Sequence, residues 1–477
     1  MTEPSDIRRT KIVCTIGPAT REVDTMCELI EAGADVFRFN FSHGSHAEHA
    51  ENVAMTREAA KRSGKEVGIL GDLPGPKLRI SDVEDGMIGL QSGSNVTLTT
   101  EPVIGTPDRI SVSYDGLPAA VGPGDEVYLA DGRIRLRVRE CDVAEIRCAV
   151  EVGGRIASHQ GLNVPGAEMP LPAAGREDLE WVDFAVEQKI DLLAISFVRR
   201  AEDITPVERR VRTSGADIPV IAKIEKPQAA ERAEEIVKAV TAGVMIARGD
   251  LGIELPIEKV PIVQRKLLAL AGRHSVPSIT ATQMLASMVA SPRPTRAEVS
   301  DVASAIFQGT DAVMLSEETA IGDYPLEAVR MMDRIAHEVE PELPYDNWVF
   351  NRASTDPSDV ANSVARAAVA STYNLGLAAL VVPTRSGRTA RLVSSHRPRL
   401  PVLAVSPRIE TVRRLNLLFG VQCVIAEDWS GITALLDECA RLAKESGVAE
   451  SGDLIGITAG LPDLELGTNL FEVHRVP

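Results

Sequence analysis

The stretch that most constrains this chain's fold is Asp217–Asp250, DIPVIAKIEKPQAAERAEEIVKAVTAGVMIARGD. It reads as strand, helix, strand. Pro219–Ala222 is a short apolar run that ends abruptly in charge, at Lys223 and Glu225. Gln228–Val240 is amphipathic and helix-forming, with Pro227 at its start and Gly243 past its end. Gly243–Ala247 is a second buried-type strand, and it ends in charge at Arg248 and Asp250. Two adjacent parallel strands thus deliver Lys, Glu and Asp at their carboxyl ends, the edge where α/β folds bind ligands. A carboxylate pair there suits a hard divalent ion such as Mg2+, and a lysine beside it supplies fixed positive charge. A solvated ion-pair cluster would explain any one of these residues. Convergence of three on one edge favours a site.

Aromatics are only 4% of the 477 residues while hydrophobics are 44%, so the core must come from Ala, Val, Ile and Leu, as in parallel α/β folds. The length suits two to four domains. The formal net charge of −17 argues against nucleic-acid or anionic-membrane binding, and anionic ligands would need local basic sites. Six cysteines (14, 27, 141, 148, 423 and 439) form no CxxC pair and read as reduced thiols. The first residues, MTEPSDIRRTK, lack an apolar signal core, and no apolar run is long enough to span a bilayer. A cytoplasmic location is expected.

Strand and helix alternate from Lys11 to Gly71: strands at Lys11–Ile16, Asp35–Phe39 and Val67–Gly71, helices at Val23–Glu31 and His46–Arg62. From roughly Ser81 to Pro165 only short β-type runs remain, such as SNVTLTT and RIRLRVRE, which read as an inserted small β-domain. Alternation resumes with a helix at Arg176–Glu187 and strands at Leu192–Phe197, Pro219–Ala222, Val244–Ala247, Ser278–Thr280 and Ala312–Leu315. Eight strands with parallel-type connections suit a (β/α)8 barrel interrupted after its third strand. Pro341, Pro344 and Pro357 mark a second break. Beyond it, helices at Ser358–Leu375 and Arg388–Ser395 alternate with strands at Ala378–Val382, Val402–Val405, Val421–Ile425 and Leu454–Thr458. The expected fold class is α/β: a TIM barrel (1–76 and 171–343), an inserted small β-barrel lid (77–170) and a C-terminal α/β domain (344–477).

Polar residues stand at the ends of most barrel strands: Arg38, Asn40, Asp72, Lys223, Glu225, Asp250, Thr282 and Ser316. Barrel enzymes keep their catalytic groups at that face. His43, His46 and His49 lack the spacing of a metal site and read as local structure.

The motifs KIVCTIGPAT (Lys11–Thr20), FNFSHG (Phe39–Gly44), KIEKPQ (Lys223–Gln228), ARGDLG (Ala247–Gly252), ATQML (Ala281–Leu285) and SPRPTRAEVSDVA (Ser291–Ala303) resemble those of pyruvate kinases over nearly the whole length. The resemblance implies the three-domain plan, a homotetramer, and phosphoryl transfer from phosphoenolpyruvate to ADP giving pyruvate and ATP. It implies Mg2+, with Mn2+ as the alternative, held by Glu225 and Asp250. Amides at Gly249 and Asp250 would take the substrate carboxylate, as helix-start amides do. Lys223 matches the lysine that stabilises the moving phosphoryl group and the enolate, and Thr282 the threonine near the protonated carbon. Arg38 and Arg79 match phosphate-contacting arginines, and Ser316 falls among the substrate-binding positions.

Many members need K+, bound at positions matching Asn40, Ser42, Asp72 and the carbonyl of Leu73. They carry Glu where this chain has Lys77 and Thr where it has Leu73. Lysine at that position marks the K+-independent branch, a compact ammonium standing in for the ion, so K+ is not expected to be required. Where the lid usually has two lysines this chain has His159 and Gln160, and Glu317 replaces a common Gly. The loop Thr384, Arg385, Ser386, Gly387 and Arg388 matches the phosphate cradle of an allosteric site. Asp463 and Glu465 would repel a second phosphate, which points to a sugar monophosphate or AMP as effector. Two other readings are a metal-dependent pyruvate or phosphoenolpyruvate lyase and a catalytically silent phosphosugar sensor. The first would not need Lys223 with Arg38 and Arg79; the second would tolerate loss of Lys223, Glu225, Asp250 or Thr282.

Overall fold

The computed structural model describes residues 7–130, 132–167, 169, 171–351, 359–428, 431–460 and 467–477. Eight parallel strands close into a barrel: Lys11–Thr15, Val36–Asn40, Gly68–Asp72, Leu192–Ile195, Val220–Ile224, Gly243–Ala247, Ser278–Ala281 and Ala312–Leu315, the last pairing with the first. Their apolar runs are continuous because both faces are buried. Val13, Val36, Leu70, Ile221, Met245 and Ile279 fill the interior, while Ile12, Cys14, Phe37, Ile69 and Ile246 pack against the surrounding helices. Among the described residues, no helix is long and apolar enough to cross a membrane.

The helix read as Gln228–Val240 is two, Pro227–Glu231 and Ala233–Ala239, divided at Arg232 (φ −100°, ψ 21°). The apolar period survives the break, with Ala229, Ala233, Ile236 and Val237 all buried, so the pattern conceals it. The helix after the second strand runs His46–Ser63, started by a Ser45–Glu48 capping box and stopped by Gly64 in the left-handed conformation.

The insertion forms a six-stranded and a two-stranded sheet around one core that includes Val96, Leu98, Leu136, Ile146 and Ile156. It also holds a single helical turn, Leu117–Ala120. The C-terminal domain has four parallel strands in the order Val421–Ile425, Val402–Ser406, Ala379–Pro383, Leu454–Ala459, and a fifth, Leu470–Arg475, antiparallel at the edge. That last strand and the helices Ile409–Leu415 and Ile432–Glu445 went unread in the sequence.

Barrel and C-terminal domain meet at the amino ends of the barrel strands. Leu417 joins the barrel's interior cluster from below. A Cβ on Gly68 would lie 2.7 Å from the Arg413 carbonyl oxygen, so the approach there requires glycine. Arg397, with 1% of its surface exposed, pairs with Asp311 at 2.6 Å and donates to the Gly309 carbonyl.

Candidate active site

At the opposite, carboxyl edge of the barrel, the ends of neighbouring strands gather one ion cluster. Lys223 sits near the end of the fifth strand with Glu225 just beyond it, and Asp72 closes the third. The Lys223 ammonium lies 2.9 Å from Glu225 Oε1 and 3.1 Å from Asp72 Oδ1, and it donates to Ser196 Oγ at 2.7 Å. Arg38 Nε donates to Asp72 Oδ2 at 2.7 Å and Nη1 to Thr15 Oγ1 at 3.1 Å. Phe197 N–H donates to Glu225 Oε2 at 2.8 Å.

Burial works against the charge on Lys223, but Asp72 and then Glu225 outweigh it and raise its pKa well above the ordinary lysine value. Burial likewise pushes the Asp72 carboxyl up, yet Lys223 and Arg38 prevail and hold it below the usual carboxylate range. Glu225 goes the other way. Its burial, helped by the neighbouring Asp250 charge, exceeds what Lys223 returns, so its pKa is raised.

Glu225 Oε1 and Asp72 Oδ1 are buried, and among the described residues the Lys223 ammonium is the one group that pairs with them. Asp250 lies in the first turn of Arg248–Glu254, close enough for its charge to act on both Glu225 and Lys223. Two neighbouring carboxylates, Glu225 buried and Asp250 half-exposed, fit a hard divalent ion that completes its shell with water and substrate oxygens.

Thr282 stands just past the seventh strand with φ +69°, followed by Gln283 at φ +54°. A threonine adopts this conformation only when its surroundings impose it. They do so here. Arg248 Nε donates to the Ala281 carbonyl at 3.2 Å and Nη2 to the Thr282 carbonyl at 2.7 Å, while Nη1 pairs with Asp301 at 2.7 Å. The Thr282 hydroxyl donates to the Ala281 carbonyl and accepts from Gly249 N–H at 2.7 Å. The Gly249 amide, expected to be open for a carboxylate, is therefore engaged by Thr282, whose side chain packs against Gly249.

Ser316 Oγ is buried without a partner among the described residues, and its amide donates to Glu318 Oε2 at 2.7 Å. Glu317 is exposed to solvent. Arg79 stands apart from the ion cluster. It belongs to the insertion, bridged to Gly161, and its guanidinium donates to the His159 carbonyl at 3.1 Å. His159 Nε2 reaches Asp82 at 3.0 Å, and the Gln160 carbonyl accepts from Ile80 N–H.

Three of the four groups read as a monovalent-cation cage, those of Asn40, Asp72 and Leu73, already hold donors. Asn40 Oδ1 accepts from Ser42 N–H at 3.2 Å, the Leu73 carbonyl from Ser196 Oγ at 2.8 Å, and Asp72 is shared by Arg38 and Lys223. Lys77 is half-buried and forms no ion pair among the described residues. Its charge is felt at His43, whose imidazole is lowered by burial first, then by Arg79, Lys77 and Arg38. The histidines have local partners: His49 Nε2 contacts the His43 carbonyl at 2.8 Å, and His46 stacks on Phe184.

In the C-terminal domain Pro383 ends a strand and Arg388 opens the helix Arg388–Ser395, so Thr384, Arg385, Ser386 and Gly387 form a strand-to-helix turn. Gly387 (φ +83°) caps the helix, Thr384 Oγ1 accepts from its amide at 2.9 Å, and Arg385 pairs with Asp428 at 2.6 Å. Asp463 and Glu465 lie outside the described residues.

Ser196, Thr15 and Arg248 were missed in the sequence as site residues. Ser196 and Thr15 are neutral residues at strand ends, and only the polar-end rule that found Asp72 could have flagged them.

Residues 7–329 match the family model described as pyruvate kinase, barrel domain, and residues 362–474 match pyruvate kinase, alpha/beta domain. The chain is 44% identical over 473 residues to a pyruvate kinase of Geobacillus stearothermophilus, covering 98% of this chain and 80% of that one. It is 42% identical to one of Staphylococcus aureus, strain MRSA252, covering 81% of the relative. Among solved structures, a pyruvate kinase from Cryptosporidium parvum superposes with a TM-score of 0.93 at 34% identity, over 100% of this chain and 98% of that one. With the barrel, both appended domains and the edge cluster in place, the chain belongs to the pyruvate kinase family.

Proposed function

We propose that the cluster around Lys223 transfers the phosphoryl group of phosphoenolpyruvate to ADP and then protonates the enolate of pyruvate. The observation that carries this reading is the buried Lys223 ammonium held between Asp72 and Glu225, with the Asp250 charge close by. An ADP β-phosphate oxygen attacks the phosphorus, the bond to the enol oxygen breaks, and negative charge passes to that oxygen. Such chemistry rests on positioning and charge neutralisation. Lys223 meets the charge on the transferring group, and Arg38, fixed by Asp72 and Thr15, orients phosphate oxygens. Glu225 and Asp250 would hold Mg2+, which would supply charge neutralisation for the substrate oxygens. The Thr282 hydroxyl, set between Gly249 and Ala281, orders the proton path to the enolate carbon. Ser316 and Arg79 add contacts as barrel edge and insertion come together. The deciding assay is pyruvate formation from phosphoenolpyruvate and ADP with Mg2+. No turnover, with sugar monophosphates and AMP also tried, would bring forward the lyase or the silent sensor.

Lys77 acts as the built-in monovalent cation in this reading. The engaged cage oxygens and the influence of Lys77 at His43 both support it. Wild type should turn over equally in Na+ and K+ buffers. Lys77→Glu should fall about tenfold or more in Na+ and recover with K+, since a carboxylate restores an anionic cage without its ion. Unchanged K+ behaviour in the variant would sink the assignment.

Arg248 is a positioning residue that holds Thr282 in its left-handed conformation. Arg248→Gln should lower kcat by about 10²-fold, the scale of a 1 Å misplacement, with a much smaller change in KM for phosphoenolpyruvate. Steady-state kinetics checks the split, and an equal change in both constants would refute it. The turn Thr384–Arg388 serves as the cradle for an effector phosphate, and the insertion closes as a lid over the edge cluster in a homotetrameric enzyme.

A further inference from the structure

Where the C-terminal domain docks on the barrel floor, one arginine lacks the partner that other sheltered arginines of this molecule have. Arg8, Arg38, Arg57, Arg248 and Arg397 are little exposed, and each meets an aspartate within 3.0 Å, as sheltered charges require. Arg391, half-buried on the helix Arg388–Ser395, meets no carboxylate among the described residues. Its Nε is closed off and its Nη1 donates to the Thr241 carbonyl at 3.1 Å, just before the sixth barrel strand. Its Nη2 has no partner among the described residues and is not closed off.

The charge that acts on Arg391 has its own sign. Arg388 stands three residues before it on one helix, a spacing at which like charges destabilise. Burial first, and then the Arg388 charge, lower the Arg391 pKa from the ordinary arginine value. Arg388 is itself exposed, with neither hydrogen bond nor ion pair among the described residues. Both arginines wall one cavity of about 280 Å3 between the domains, near the lower bound of metabolite pockets. Pro219, Thr241 and Pro277 contribute its barrel wall, and its one acidic lining residue, Asp217, is taken by Arg414 at 3.1 Å. Two guanidinium charges brought together beside a cavity, with no carboxylate to answer them, call for a dianion. Their planar forks suit phosphate oxygens.

We propose that this interdomain cavity takes the phosphate group of a small metabolite between Arg388 and Arg391. The inference rests on the effector reading of the Thr384–Arg388 turn and deepens it: the cradle continues past the turn to Arg391, and the ligand is touched from the barrel floor as well as from the C-terminal domain. Arg391 is then the residue that meets both, the ligand through Nη2 and the barrel through the Thr241 carbonyl.

Calorimetric titration of the full-length protein with inorganic phosphate tests this in wild type, Arg388→Gln, Arg391→Gln and a Thr384→Val/Ser386→Ala variant of the turn. The catalytic edge is expected to take phosphate in all four alike, so the reading is the equivalent that the variants weaken. Arg388→Gln and Arg391→Gln should each weaken one and the same equivalent about tenfold or more, as loss of a charge-assisted contact does. Weakening in Arg388→Gln and the turn variant but not in Arg391→Gln would overturn the proposal and leave the turn as the cradle. Weakening in both arginine variants but not in the turn variant would uphold the pair and remove the turn from the cradle. Phosphate affinity unchanged in both arginine variants overturns the proposal. Should Arg391→Gln fail to fold, the wild type carries the test: phosphate should slow the modification of Arg391 by phenylglyoxal, read by peptide mass spectrometry, and an unchanged rate is then the overturning result.

Discussion

Lys223→Met should reduce kcat by about 10³-fold while the protein still folds and binds its nucleotide. Removing one preorganised charge from a water-excluded site typically costs 10² to 10³ in rate, and Lys223 has no understudy. Arg38 is tied to Asp72 and Thr15, and Arg79 is directed at the His159 carbonyl. Methionine keeps the length and the packing of the side chain, so the loss reports charge. A second effect follows from the pairing. Asp72 is held below the usual carboxylate range by Lys223 and Arg38, and Glu225 is already raised by burial against the pull of Lys223. Without the ammonium both carboxyls move to higher pKa. The acid limb of the residual pH–rate profile should therefore shift to higher pH, as Glu225 protonates sooner and, on the proposed reading, no longer holds Mg2+. Stopped-flow or coupled kinetics between pH 5 and 9 would measure both. A loss under tenfold, or an acid limb that stays put, would mean that Lys223 is a structural counter-ion only.

Much of this edge could be read from the sequence because apolar strands that stop in Lys, Glu, Asp or Arg leave a plain signal. The barrel strands were placed to within about two residues for the same reason: each is a short apolar run buried on both faces, bounded by polar residues. Ser196 and Thr15 escaped because a neutral side chain at a strand end looks the same whether or not it anchors an ammonium or a guanidinium. Arg248 was seen only as charge closing a strand. Its task depends on where the Thr282 carbonyl points, and no periodicity encodes a positive φ. The break at Arg232 was hidden by apolar spacing that runs through it. Leu470–Arg475 was unread because an edge strand, only partly buried, lacks the apolar density of the inner ones.

Arg397→Met should destabilise the protein by about 3–5 kcal/mol, the usual consequence of removing one partner from a buried ion pair. Arg397 comes from the C-terminal domain and Asp311 from the residue before the eighth barrel strand, and their contact is 2.6 Å. Asp311 Oδ2 also accepts from Ser278 N–H and Oγ at 2.9 and 3.0 Å, so the carboxylate cannot swing out to water without loosening the seventh strand. The Arg397 guanidinium sits 4.4 Å from the Phe419 ring centroid, an apolar surface that methionine would still cover. Packing is thus largely conserved, and the deficit belongs to the stranded carboxylate. The double variant Arg397→Met/Asp311→Asn isolates it: an amide can still accept from Ser278 without carrying charge, so at least half of the loss should return. Denaturant unfolding of the single and double variants would show this, provided the C-terminal and barrel transitions are followed by separate probes. If the single variant loses less than 1 kcal/mol, the pair is not what locks the C-terminal domain to the barrel floor. The lock would then reside in apolar contacts such as Leu417, which enters the barrel's own interior cluster.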